Sequence, residues 1–168
     1  MTVFSLNWGT TALHYPRQQF LLLQMVGVLF FALTIPLSAA WADRIGPRRV
    51  LIWASAAIAL SGPVLAQMFG SGTLFGVLSF LSLGLALMGV TYGPLGTMLA
   101  QMFPTPVRYT GASLSFNLAG ILGASLAPYI AMWLAHTYGL AYVGYYLSGA
   151  AIITLLALLA SRRIPGMI

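Results

Sequence analysis

Ala39-Ala40-Trp41-Ala42-Asp43-Arg44-Ile45-Gly46-Pro47-Arg48-Arg49 joins two long stretches that carry no charge. Gly46 and Pro47 are residue types that reverse a chain, the first by tolerating unusual backbone angles and the second by fixing one. Asp43 stands at a predicted helix end, with Arg44, Arg48 and Arg49 close to it in sequence. Arginines that merely hold a membrane loop on its own side account for themselves but leave the acid unexplained. A carboxylate is favourable beside arginines or facing a helix N-terminus. The expectation is therefore a conformational latch that holds one arrangement of helices, with simple anchoring as the alternative.

Outward from this turn, charge is scarce. The 168 residues are 60% hydrophobic and 5% charged, against about 25% charged in a typical soluble domain. The charged side chains are Arg17, Asp43, Arg44, Arg48, Arg49, Arg108, Arg162 and Arg163. Twenty-five uncharged residues separate Arg17 from Asp43, 58 separate Arg49 from Arg108, and 53 separate Arg108 from Arg162. A helix needs about 20 apolar residues to cross a hydrocarbon core of about 30 Å. The first interval crosses once. The others are long enough for two crossings each, broken at Gly70-Ser71-Gly72 and at His136-Thr137-Tyr138-Gly139. Transmembrane helices are predicted over 20–41, 50–68, 74–102, 110–135 and 141–160, preceded by a short apolar segment, residues 1–14, that reads as the end of a helix followed by a loop. The fold class expected is an all-α integral membrane protein. Parity places every arginine but Arg17 on one face. Short arginine-bearing loops mark the cytoplasmic side, so a multi-pass chain with a cytoplasmic C-terminus is expected, its principal partner the lipid bilayer.

Several function classes fall away. Nucleic-acid binders concentrate Lys and Arg on a soluble face, whereas these arginines are sparse and sit at helix ends, so no nucleic-acid partner is expected. No cysteine is present, which excludes disulfides and thiolate metal sites. Met1 to Trp8 has neither the basic start nor the apolar core of a cleaved signal peptide. Catalysis needs nucleophiles, bases or metal ligands within reach of one another. Only one carboxylate and the loop histidines His14 and His136 are available. Phe69-Gly70-Ser71-Gly72 lacks the first glycine of the G-x-S-G arrangement of intramembrane serine proteases. An enzyme is not expected, nor a catalytic residue, a metal or a cofactor.

Within the spans, Gly89 and Gly93, Ala119 and Gly123, and Gly120 and Ala124 recur at a spacing of four. Each pair shares a helix face and admits the close approach of another backbone, chiefly as ordinary helix packing. Pro36, Pro63, Pro94 and Pro128 lie inside spans, where each removes a backbone donor.

The turn at residues 39–49 resembles the signature loop of the major facilitator superfamily, G-x-x-x-D-R-x-G-R-[RK]. Asp43, Arg44, Gly46 and Arg48 match, while Ala39 replaces the first glycine and Pro47 an arginine. A second segment, Phe103-Pro104-Thr105-Pro106-Val107-Arg108-Tyr109-Thr110-Gly111-Ala112-Ser113, resembles the F-P-T-x-V-R-Y-T-G-x-S loop of the metabolite:proton symporters, the group of shikimate, α-ketoglutarate and proline/betaine permeases. In that group it joins the tenth and eleventh helices. The resemblance covers essentially the whole chain. It implies the C-terminal half of a twelve-helix design, with five full spans and the end of helix seven, in a bacterial inner membrane. Gln101 stands where the family usually has an acid, which weakens any gate pairing that acid supplies.

The resemblance further implies two halves that rock about a central site. Gln24, Tyr92 and Asn117 are then the substrate-pathway candidates, joined by Asn7 and Trp8 if the first segment packs as helix seven does. Other readings stand beside these: Gln24 near the outer membrane boundary, and Asn117 bonded to a neighbouring helix. Asp43, Arg44, Gly46, Arg48, Arg49 and Arg108 are assigned to the cytoplasmic gate. The function implied is half of a secondary active transporter taking up a small organic metabolite with a proton, completed by an N-terminal half. A transport-inactive membrane fragment and a self-associating channel are the alternatives.

Overall fold

The computed structural model describes residues 2–160, apart from the side chain of Ala124. Six α-helices follow one another along these residues: α1 (Thr2–Thr11), α2 (Arg17–Ile45), α3 (Pro47–Gly70), α4 (Leu74–Gln101), α5 (Arg108–Thr137) and α6 (Leu140–Ala160). A 3₁₀ turn, Thr105–Val107, precedes α5. The last five helices are long and apolar enough to cross a membrane. Most run past the apolar spans expected from sequence, α2 reaching from Arg17 to Ile45. Backbone hydrogen bonding continues into the interfacial layer, where hydropathy has already fallen.

The turns follow from local chemistry. Gly46 adopts φ 93°, which suits glycine, and Pro47 begins α3 where its missing N–H costs nothing. Gly72 (φ 63°) and Gly139 (φ 97°) close the next hairpins. The Thr73 hydroxyl accepts a hydrogen bond from the Gly76 amide at 3.1 Å and caps α4. The helices continue through Pro36, Pro63, Pro94 and Pro128.

Two seams of small residues hold the bundle. Along the parallel pair α2 and α4, Gly27 lies against Leu81 and Leu85, Gly89 against Phe31 and Thr34, and Gly93 against Ile35 and Ser38. Along the antiparallel pair α3 and α6, Gly62 meets Gly144 and Ser148. The Ser148 hydroxyl donates to the Ala59 carbonyl at 2.7 Å. Lipid gives no hydrophobic drive between helices, so close van der Waals approach and such bonds do the holding.

An aromatic cluster fills the end of the bundle where α1 lies. Phe69 and Phe80 stack at 4.3 Å, Phe4 and Phe20 tilt against Phe69, and the Phe20 ring seats against Gly9. Helix α5 is the loosest member. It buries Ala131 and Ala135, while Ser113, Leu114, Phe116 to Gly123, Ser125 and Leu126 are exposed. The space around Gly120 and Gly123 is open. The expected close approach is thus realised at Gly89 and Gly93, and among the described residues it is not realised at the α5 glycines. A cavity of about 300 Å³ opens between α3, α4, α5 and α6, lined by Phe4, Gly62, Gly84, Pro128, Gly144 and Leu147 among others.

Candidate functional site

Gln24 lies on α2 one turn before Gly27, so its side chain is carried toward the α2–α4 seam. It is half-buried, and its buried Oε1 has no hydrogen-bond partner among the described residues. An acceptor left this way costs about 1–3 kcal/mol. Tyr92 stands on α4 at the exposed edge of the same seam, its ring edge-on to Phe31 at 5.5 Å. Gln24 and Phe31 are seven residues apart, or about 10 Å along the helix. The α2–α4 pair therefore carries both groups at neighbouring depths.

Asn117 is placed apart from them, on the exposed face of α5, a helix that does not pack on α2 among the described residues. Its Nδ2 donates to the Ser113 carbonyl at 2.8 Å and to the Ser113 hydroxyl at 3.3 Å. The amide is engaged within its own helix rather than with a neighbour. In α1, Trp8 is half-buried with its ring edge-on to His136 at 5.2 Å, and Asn7 is exposed. His14 takes φ 55° in the exposed loop after α1.

The charged turn joins α2 to α3 at the end of the bundle where α4 and α6 also finish. Asp43, Arg44 and Arg49 are exposed there. Arg48 behaves differently and turns away from the acid. Its Nε and Nη2 donate to the Leu158 carbonyl at 3.0 and 2.8 Å, and Nη2 also reaches the Leu159 carbonyl at 3.2 Å. A guanidinium on backbone carbonyls makes charge-assisted hydrogen bonds, and these tie the start of α3 to α6. Arg108 folds back on its own loop, with Nε 3.4 Å from the Phe103 carbonyl and Nη2 3.4 Å from the Thr105 hydroxyl. The Phe103 ring occupies the space a side chain at Gly111 would need. Arg162 and Arg163, expected at the same end, lie outside the described residues.

Sequence reasoning missed the Arg48 bonds to α6 and the α3–α6 seam. The seam had a signal, since Gly62 and Ala66, and Gly144 and Ser148, repeat the spacing of Gly89 and Gly93. The Arg48 bonds had none, because Arg48 and Leu158 are 110 positions apart.

The family model described as Major Facilitator Superfamily matches residues 1–166. The inner membrane metabolite transport protein YhjE of Escherichia coli (strain K12) is 46% identical over 168 residues, covering 97% of this chain and 38% of that protein. The citrate-proton symporter of Klebsiella pneumoniae is 30% identical, covering 94% of this chain and 36% of its own length. The shikimate transporter of Escherichia coli (strain K12) is 30% identical over 78% of this chain and 30% of that protein. The chain spans about two-fifths of the length of the first two relatives it matches. No solved structure matches it.

Proposed function

Because the chain belongs to the Major Facilitator Superfamily, we propose that it is the C-terminal half of a secondary active transporter that moves a small organic metabolite with protons by alternating access. The observation that carries this reading is the end-to-end similarity to proteins named for metabolite transport. The citrate-proton symporter among them supports a proton as the coupling ion. In this reading an N-terminal half supplies the opposing wall and the proton-carrying acids. The chain is a multi-pass membrane protein, and YhjE's name supports the inner membrane as its location. The arginine-bearing end, with the C-terminus, faces the cytoplasm, as short basic loops do.

Gln24 and Tyr92 line the pathway, Gln24 once its side chain turns out of the α2–α4 seam, where its oxygen is buried without a partner among the described residues. Asn117 lines it from α5. Asp43, Arg44, Gly46, Arg48, Arg49 and Arg108 form the cytoplasmic gate. The exposed Asp43 carboxylate takes its latch partner from the opposing half, a reading supported by Arg48 being engaged at the end of α6 and Arg108 within its own loop. In the complete transporter, Asp43→Asn is expected to lower uptake and shift the balance of the two access states, read by labelled uptake and by protection of reporter cysteines on each side. Unchanged uptake with both access states unaltered would overturn the latch. The chain alone is read as inactive for transport, because the exposed face of α5 leaves any pathway open on one side.

A further inference from the structure

Trp133, Tyr138, Tyr142 and Tyr145 form a ladder of rings across the α5–α6 turn, with successive centroids 5.6, 5.3 and 6.0 Å apart. Each of the four is at least 49% exposed. Helix α6 buries Gly144, Ser148 and Ala151 and turns Leu140, Val143, Tyr146 and Leu147 to the cavity. Tyr142 and Tyr145 are exposed and do not line it. Farther along, the exposed residues of that helix become aliphatic, as Ile152, Ile153, Leu156 and Leu159. The helix surface thus changes from aromatic and hydroxyl-bearing to hydrocarbon in the order that a bilayer does.

Depth agrees with this. Tyr142 and Tyr145 follow Gly139 by three and six residues, or about 4.5 and 9 Å along a helix. The polar layer on each side of a bilayer is about 5–8 Å thick. Charge narrows the partner further. From Trp133 to Tyr145 there is no Asp, Glu, Lys or Arg, and His136 is engaged by Trp8. Arg17, at the same end, begins α2, which packs on neither α5 nor α6 among the described residues, so no fixed charge beside the rings favours an anionic headgroup. Ring faces attract cations, and the phenol and indole groups donate hydrogen bonds.

We propose that this ladder binds the ammonium-bearing, zwitterionic phospholipid headgroups of the leaflet opposite the arginine-bearing end. The ring faces take the ammonium, and the phenol hydroxyls donate to phosphate oxygens. The proposal rests on the chain crossing a bilayer and is independent of which solute it helps to move.

The test is lipid retention by the purified chain from equimolar phosphatidylethanolamine and phosphatidylglycerol micelles, counted by mass spectrometry. The combined variant Tyr138→Leu, Tyr142→Leu, Tyr145→Leu is expected to lower the retained ethanolamine-to-glycerol ratio about fivefold, with helix content unchanged by circular dichroism. The matching Tyr→Phe variant keeps the ring faces and is expected to hold the ratio while retaining less of both lipids, because phosphate is common to the two headgroups. An unchanged ratio in the leucine variant, or equal loss of both lipids, would overturn the proposal. If the leucine variant does not fold, the single variants Tyr142→Leu and Tyr145→Leu decide: a lowered ratio in either supports the proposal, and an unchanged ratio in both sinks it.

Discussion

The guanidinium of Arg48 ties α3 to α6 by donating to the carbonyls of Leu158 and Leu159. Its neighbour Arg49 is exposed. Two arginines side by side in the signature loop therefore differ in energetic weight. Partly buried bonds from a charged donor are worth about 1.5–3 kcal/mol, while replacing an exposed, solvated side chain changes stability by no more than about 0.5 kcal/mol. Arg48→Ala is expected to lower stability by about 2 kcal/mol and to speed amide exchange where α3 meets α6. Arg48→Lys is expected to retain part of both, since an ammonium lacks the planar fork that reaches successive carbonyls. Arg49→Ala is the control. Thermal unfolding and hydrogen exchange in one detergent check the set, and equal effects at both arginines would mean that the Arg48 bonds to α6 add no stability. No reading of the loop alone separates these two side chains, because the partner lies on the far side of the sequence.

At the scale of elements, glycine spacing predicts contact only where another helix arrives. A methyl group at Gly89 would collide with Thr34 and stand 2.7 Å from the Phe31 carbonyl, whereas one at Gly123 meets nothing within 4 Å. Gly89→Ala is expected to destabilise the chain by about 1–3 kcal/mol through forced separation of α2 and α4. Gly123→Ala is expected to be neutral or to stabilise by up to about 1 kcal/mol through helix propensity. Thermal melts of the two variants side by side measure the contrast, and similar losses at both would mean that α5 is covered after all. The helices themselves were legible because uncharged length and arginine placement are one-dimensional signals. Which helix meets which was not. The four-residue repeats at Gly62 and Gly144 are no different in sequence from the one at Gly120, and only the arrangement of helices decides which of them closes on a neighbour. The candidate site divides in the same way. Gln24 and Tyr92 share a seam, while Asn117 is satisfied by Ser113 four residues away, a local bond that its own helix geometry supplies.

For the whole molecule, the unequal packing of the helices bears on what the chain can do. α2, α3, α4 and α6 are locked along two glycine seams, while among the described residues of α5 only Ala131 and Ala135 are fully buried. A substrate path that opens alternately to two sides needs walls that close at each end, and exposed faces of α2 and α5 cannot supply both walls from one set of five spans. Burying the open surface of α5 against a second set of helices would complete the enclosure and give the exposed carboxylate of Asp43 a partner. Vesicles carrying this chain alone are accordingly expected to take up labelled citrate or shikimate no faster than empty vesicles under an inward proton gradient. Vesicles carrying the chain together with the N-terminal half of a close relative are expected to take up one of these solutes, with uptake abolished by a protonophore. Gln24→Leu in that assembly is expected to reduce affinity about five- to tenfold, the cost of one unmade hydrogen bond, while leaving assembly intact on a native gel. Uptake by the chain alone would instead mean that copies of it close the path for one another, and the cross-linked dimer would then be the species to look for. Uptake that survives the protonophore would keep the transporter and remove the proton.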